Sequence, residues 1–349
     1  MKKKSLIIGG YGAVGSIIAR HLAEQFPNNV MVAGRSFNKA HQLAEELNHT
    51  VIPYQFDAST SSNYELLDEV GLVIVCIDLP DSKLAEECIA RGINYLDITA
   101  SQKVIQKIET LNEQATAMDV TIALSVGLAP GITNLLAQHC IRQAPASTPV
   151  DLFVLLGLGE KHGDAAYRWT FDNIHTIYPV VQGGRTKTVR SFTQPKQTVL
   201  IGKRTFYSFN FSDQHTLAET TSSPQVFTRM AFDSRFITRM IGFLRKTGIT
   251  RLFKNKRMQH LFITAFNRLN VGSDLFAVKA ETAYNAYSVS GNEEGKVTAY
   301  VATELAIQLI EQQSSSGVRH MHQLVSDVPE FLNRLKRYNE NLIIDFQTK

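Results

Sequence analysis

One stretch near the start restricts this chain more than any other. Residues 6–24 read LIIGGYGAVGSIIARHLAE, an apolar run that ends in glycines and then turns into a helical pattern. Within it, Gly10-Tyr11-Gly12-Ala13-Val14-Gly15 is G-x-G-x-x-G, set where a strand gives way to a helix. That context is what a dinucleotide-binding loop requires. Gly10 permits the tight turn, Gly12 lets a pyrophosphate approach the backbone, and Gly15 lets the helix pack closely on the strand. Ala13 and Val14 lead into the helix, whose free N–H groups and positive end face the phosphates.

The pattern around the loop sets the fold class. Strands are expected at Ser5–Gly9, Val30–Ala33, Val51–Gln55, Leu72–Ile77, Tyr95–Asp97 and Thr121–Leu124. Helices are expected between them, at Val14–Gln25, Asn38–Leu47, Ser61–Leu67, Asp81–Ala90 and Gln102–Met118. Continuous apolar runs such as Leu72 to Ile77 suit a parallel sheet buried on both faces. Strand and helix alternating in this way predict an α/β domain of the Rossmann kind, a doubly wound parallel sheet.

The second strand decides which dinucleotide. A site for NAD usually carries Asp or Glu near the end of that strand, about 20 residues beyond the glycines, to accept from the ribose 2′-OH. Here the strand ends Gly34-Arg35-Ser36, with Lys39 following and no acid. Arg35 can pair with a 2′-phosphate, and Ser36 and Lys39 can add donors. NADP(H) is therefore expected. Ligands of such sheets sit beyond the carboxyl ends of the strands. Asp78-Leu79-Pro80, Asp97-Ile98-Thr99-Ala100 and Gly127–Gly131 fall there, which assigns Asp78 and Thr99 to the cofactor and Asp97 to the nicotinamide side as a catalytic candidate.

At 349 residues the chain suits two domains. The expected division is a dinucleotide-binding domain over 1–128 and a substrate and dimerisation domain over 129–349, with the helical tail, 297–349, returning to the first. The second half reads as α+β with a mixed sheet. Val150–Leu156, Thr186–Arg190, Gln197–Ile201, Thr205–Phe211, Ala277–Glu281 and Tyr284–Ser290 are strand-like. Between them, Gly157 to Asp164 reads GLGEKHGD and leads into a helical stretch bearing the only tryptophan, Trp169. Glycines and ionisable residues between apolar elements mark a site loop. His162 is the first candidate proton donor because an imidazole titrates near neutrality. Glu160 or Asp164 can orient it, and Glu160 and Trp169 are expected to meet a small-molecule substrate. His320 and His322 read as a surface pair.

Charge is uneven. Gln225 to Val271 holds ten Lys or Arg against one acid, Asp233, while the whole chain carries +4. Its hydrophobics, among them Met230, Phe236, Met240 and Phe243, recur at roughly helical spacing. One or two amphipathic helices covering the substrate domain are expected, and a peripheral membrane contact through 225–271 is the sharper alternative. No nucleic-acid-binding signature accompanies the charge, so no nucleic-acid partner is expected. Three scattered cysteines exclude a disulfide framework and a structural metal site. A reduced, cytoplasmic setting follows, and the mixed sheet suits a homodimer paired across a twofold axis.

Several of these segments together resemble the saccharopine dehydrogenase-like family of NADP-binding reductases. The pieces are GGYGAVG, VAGRS, ARGINYLDITA and VGLAPGITNLLA, with a similar tail of helix Val297–Gln313, then Gly317-Val318-Arg319, then Val328–Tyr338. The resemblance implies a Rossmann domain followed by a substrate domain entered after the GLAPG turn. It also implies hydride transfer between NADP(H) and the C–N bond of a secondary amine. A glycine-rich turn and a tryptophan-bearing helix near Trp169 fit it too. The sequence departs from the family at the turn, where amino-acid-forming members carry acids and this chain has Ser125 and Ala129. Gly131, assigned to the substrate side, and the helix start at Ile132 behind it can still offer N–H donors to an anion or to the cofactor. The expected activity is thus an NADP(H)-dependent oxidoreduction at a C–N or carbonyl carbon. Its rivals are a membrane-associated reduction of a lipid-like C=C or C=O and a non-catalytic NADP(H)-binding sensor.

Overall fold

The computed structural model describes residues 4–60, 64–159, 173–182, 185–248, 250, 272–311 and 315–348. Two compact units emerge: Met1–Gly131 with Gly295–Tyr338, and Ile132–Glu294 with Asn339–Lys349.

The first unit is built on a seven-stranded, wholly parallel sheet. Its strands are β1 (Lys4–Ile8), β2 (Val30–Gly34), β3 (Val51–Gln55), β4 (Val70–Val75), β5 (Asn94–Asp97) and β6 (Thr121–Leu124), with a tail strand, Gly317–His320. The order is tail strand, β6, β5, β4, β1, β2, β3. The order therefore reverses at β1, between β4 and β2, which is where a doubly wound sheet opens its ligand crevice. The apolar runs are buried as their composition demands: Leu6, Ile7, Ile8, Val73, Ile74 and Val75 are fully covered. Helices α1 (Gly15–Gln25), α2 (Phe37–Glu46) and α3 (Lys83–Ala90) lie between strands. The stretch expected as one helix over Gln102–Met118 is two, α4 (Gln102–Glu109) and α5 (Asn112–Ala117), broken at Thr110 and Leu111. The Thr110 hydroxyl donates back to the Lys107 carbonyl at 2.7 Å, and this local bond competes with helix continuation.

The tail strand was not legible as a strand. Four residues with an arginine among them carry too little pattern, and only pairing with β6, in register from Gly317 opposite Thr121, defines it.

The second unit carries the mixed sheet. Its strands include β7 (Val150–Leu156), β10 (Lys196–Val199), β11 (Lys203–Ser208), β12 (Val226–Phe232), β13 (Leu275–Glu281), β14 (Asn285–Asn292) and the C-terminal strand Ile343–Thr348; β8 (Ile177–Gln182) and β9 (Arg185–Arg190) form a separate hairpin. The order is β10-β11-β12-β7-β13-β14 and then the C-terminal strand, with β7 and β12 parallel and the other pairs antiparallel. The start of the basic segment is therefore not helical. Val226–Phe232, including Met230, is a buried strand. It tolerates Arg229 inside the sheet because Asp151 on neighbouring β7 pairs with that guanidinium. Helices α6 (Thr133–Arg142), α7 (Ser212–Thr220) and α8 (Arg235–Thr247) complete the described part of this unit before α9 (Glu294–Glu311).

Chemistry as well as packing ties α9 to the first unit. Glu304 is buried on α9, and Arg337 donates to its carboxylate at 3.0 Å while the Tyr338 hydroxyl donates at 3.3 Å. Arg334 approaches the same group at 2.7 Å. Tyr338 stacks on Tyr300, and His21 of α1 meets both rings edge-on. Glu304→Leu should strand two cations beside an apolar side chain. The guanidiniums are partly solvated, which moderates the usual cost of breaking a buried pair to about 2 kcal/mol. Denaturant unfolding of the variant checks this, and an unchanged midpoint would show that the carboxylate does not hold the tail.

Candidate functional site

All seven strands of the first sheet run the same way, so their carboxyl ends share one edge. The site residues lie along that edge in the order of the strands.

The glycine loop follows β1. A Cβ on Gly15 would come within 2.4 Å of the Gly9 carbonyl oxygen, so the helix can meet the turn only without a side chain there. A Cβ on Gly10 would strike the Ile7 carbonyl and Val32, each at 2.9 Å. Gly12 differs, being exposed and with open space beyond the Gly9 carbonyl at 3.1 Å. It keeps the approach to the backbone clear. Ala13 is exposed, Val14 is the helix N-cap, and no side chain caps α1. An eleven-residue helix whose first N–H groups have no side-chain acceptor suits a pyrophosphate.

Across the loop, at the end of β2, Arg35 and Lys39 are exposed. Ser36 is the N-cap of α2, its hydroxyl accepting from the Lys39 N–H at 3.4 Å. A residue that sequence reasoning passed over joins the two loops. Tyr11, one of the motif's variable positions, lays its ring on Gly34, where a Cβ would sit 2.5 Å from it. Its hydroxyl accepts from the Ser36 N–H at 3.1 Å. Tyr11 thereby fixes the turn that presents Arg35.

On the other side of β1, Asp78 is exposed after β4, and Asp97 and Thr99 are buried at the end of β5. The Tyr95 hydroxyl and the Thr99 N–H both donate to the Asp97 carboxylate at 2.8 Å. Burial nonetheless dominates and pushes the carboxyl up to about 7, the two hydrogen bonds opposing it and Asp78 adding slightly to it. Asp97 can thus hold a proton near neutral pH.

Farther along the edge lies a chain of three groups. Ser125, immediately after β6, is fully buried and has φ 56°, a left-handed backbone uncommon outside glycine and asparagine. Its Oγ is 2.9 Å from Nδ1 of His320, which ends the adjacent tail strand. The other ring nitrogen, Nε2, is 3.0 Å from Glu109 at the end of α4. An ionised carboxylate only accepts, so Nε2 bears a hydrogen and a neutral ring offers Nδ1 to the serine hydroxyl. His320 and His322 are therefore not a surface pair: both are buried, His320 as the last residue of the tail strand and His322 in the short helix Met321–Leu324 that follows it. Gly131 closes the turn behind Ser125 with φ 139°, its missing Cβ position 3.4 Å from the Ser125 carbonyl. Glu160, His162 and Trp169 lie outside the described residues.

Residues 5–123 match the saccharopine dehydrogenase NADP binding domain. The first domain is thus similar to the NADP binding domain of saccharopine dehydrogenases. Its fold is similar along almost its whole length to apo saccharopine dehydrogenase (L-Glu forming) from Saccharomyces cerevisiae, at TM-score 0.70 and 12% identity, over 99% of this chain and 100% of that one. Shorter likenesses are to glutamyl-tRNA reductases. The one from Carboxydothermus hydrogenoformans is 40% identical over 78 residues, or 22% of this chain, and the one from Methanosphaera stadtmanae is 36% identical over 90 residues, or 26%. These stretches span 16% and 21% of the two reductases. The stretch matched over residues 5–123 is thus a nicotinamide-dinucleotide-binding domain.

The Asp97 environment makes a measurable prediction. A carboxyl raised above its ordinary unfolded value of about 3.9 binds more protons folded than unfolded between that value and about 7. Its contribution to stability therefore falls across that window and is constant above it. Asp97→Asn keeps a neutral acceptor, so the variant should gain stability relative to wild type by about 2–4 kcal/mol between pH 4 and pH 8. Paired melting curves across that range read the difference directly, and a flat difference would refute the burial argument.

Proposed function

We propose that the chain moves a hydride between NADP(H) and the carbon of a C–N bond, an imine or secondary amine, or of a carbonyl group in a small metabolite. The observation that carries the cofactor choice is Arg35, exposed at the end of β2 with no carboxylate in the turn it shares with Ser36 and Lys39. A 2′-phosphate would find a guanidinium there, and a carboxylate would have repelled it.

The cofactor, when bound, supplies the hydride; the rest falls to the protein. Gly10, Gly12, Ala13, Val14 and Gly15 would hold the pyrophosphate, and Arg35 with Lys39 the 2′-phosphate. Asp78, Asp97 and Thr99 lie past the switch point at β1, on the side where the nicotinamide of a dinucleotide bound across the crevice would fall. Reduction of C=N or C=O also needs a proton at nitrogen or oxygen. The Ser125–His320–Glu109 chain can move one. With Nε2–H toward Glu109 the chain carries a proton from the serine hydroxyl outward, as oxidation of an amine or alcohol requires; for reduction the opposite tautomer serves, a protonated Glu109 giving its proton to Nε2 while Nδ1–H passes to the Ser125 oxygen and the serine proton leaves for the substrate.

Fluorescence titration with NADPH and NADH tests the cofactor. NADPH should bind more tightly, and Arg35→Asp should weaken NADPH by about 10- to 100-fold, the worth of a charged hydrogen bond, while sparing NADH. Equal binding of the two would end the assignment. Once a screen of amine–carbonyl pairs and ketones gives turnover, His320→Gln should lower kcat by about 100-fold, in the range of general-acid contributions. NADPH affinity should hold and the solvent deuterium effect on kcat should change. A variant with unaltered kcat would remove the relay.

A further inference from the structure

Helix α8 turns its apolar stripe away from the protein. Ser234 caps its N-terminus, accepting from the Ile237 N–H at 3.3 Å, and Gly248 ends it in the left-handed conformation with φ 83°. At about 100° per residue, Thr238, Gly242 and Arg245 share one side. That side faces the unit: the Thr238 hydroxyl donates to the Phe232 carbonyl at 3.2 Å, a Cβ on Gly242 would lie 2.5 Å from the Tyr207 ring, and Arg245 donates to the Ser191 carbonyl at 3.0 Å. Phe236, Met240 and Phe243 fall on the opposite side. They are 75%, 37% and 64% exposed, so this stripe is not part of the core. Beside it, Arg235, Arg239 and Lys246 form a row of exposed cations.

The same end of the helix borders a hollow lined by Arg204, Arg235, Arg239, Thr205 and Thr238. Three arginines line it, with Ala231 and Phe232 beside them. Arg204 is partly buried, and burial together with the Arg235 charge pulls its pKa down, so a further anion would relieve it. Asp233 offsets only part of this. Its carboxylate accepts from the backbone N–H groups of Ser234, Leu158 and Ser273, and Arg204 bonds to its carbonyl oxygen instead.

We propose that α8 docks the protein on an anionic lipid surface, with a headgroup phosphate in the three-arginine hollow and Phe236, Met240 and Phe243 at the acyl boundary. Cations beside an aromatic stripe on one amphipathic helix match a layer of phosphates over hydrocarbon. A second copy of the chain is a poorer occupant, because twofold pairing of this face would set arginine against arginine. No helix among the described residues is long and apolar enough to cross a membrane, so the contact is one of attachment.

The test is flotation of the full chain with vesicles at low salt. Binding is expected to vesicles of equal parts phosphatidylcholine and phosphatidylglycerol and not to pure phosphatidylcholine. Phe236→Ser with Phe243→Ser should weaken it at least about tenfold, and Arg235→Glu with Arg239→Glu should abolish it. NADPH titration and circular dichroism of each variant report whether the fold is intact. Failure to float with anionic vesicles overturns the proposal. Full binding by the double serine variant overturns it too, since charge alone would then suffice for any polyanion. So does tighter binding to duplex DNA than to the vesicles, or a dimer in sedimentation that the serine substitutions dissolve.

Discussion

The parallel pairing of the first sheet is the constraint on which the candidate site depends. Parallel strands need crossovers, the crossovers bury both faces, and every strand must deliver its carboxyl end to the same edge. The glycine loop, Arg35, Asp78, Asp97, Ser125 and His320 come from five intervals of sequence and a distant tail, yet they line one rim because their strands are neighbours in register. The reversal of strand order at β1 then separates the Arg35 side from the Asp97 side. A dinucleotide needs that separation between its phosphate-bearing ribose and its reactive ring.

The rim also concentrates ionisable groups where water is scarce. Asp97 keeps its proton to about 7 because burial outweighs the two hydrogen bonds that favour its charge. His320 is satisfied at both nitrogens by groups from different elements. Such arrangements cost folding energy and tend to gather at functional sites. The left-handed backbone of Ser125 belongs with them, since a non-glycine residue keeps such a conformation only where its surroundings over-determine it.

The basic segment shows how one periodicity hides several structures. Apolar residues with interspersed cations over Gln225–Val271 suit an amphipathic helix, and Arg235–Thr247 is one. Val226–Phe232 shares the composition but is a central strand, because Arg229 has Asp151 across the β7 pairing and the residues around it are covered on both faces. Local pattern reports alternation of polarity. It does not report which charges will find partners.

The sequence by itself determined the doubly wound architecture, the loop that suits a pyrophosphate, and the cationic turn after β2. Each is a short-range consequence of local chemistry: glycine where a Cβ would collide, apolar runs where both sheet faces are buried, arginine where an acid would stand. Only the tertiary structure decided the rest. The four-residue tail strand exists because β6 offers an edge. Tyr11 matters because Gly34, 23 positions later, leaves room for its ring. Ser125, Glu109 and His320 form a chain across 211 positions because two strands and a helix end converge. Contacts of that range depend on register and pairing, and a single sequence carries them only through the fold it adopts.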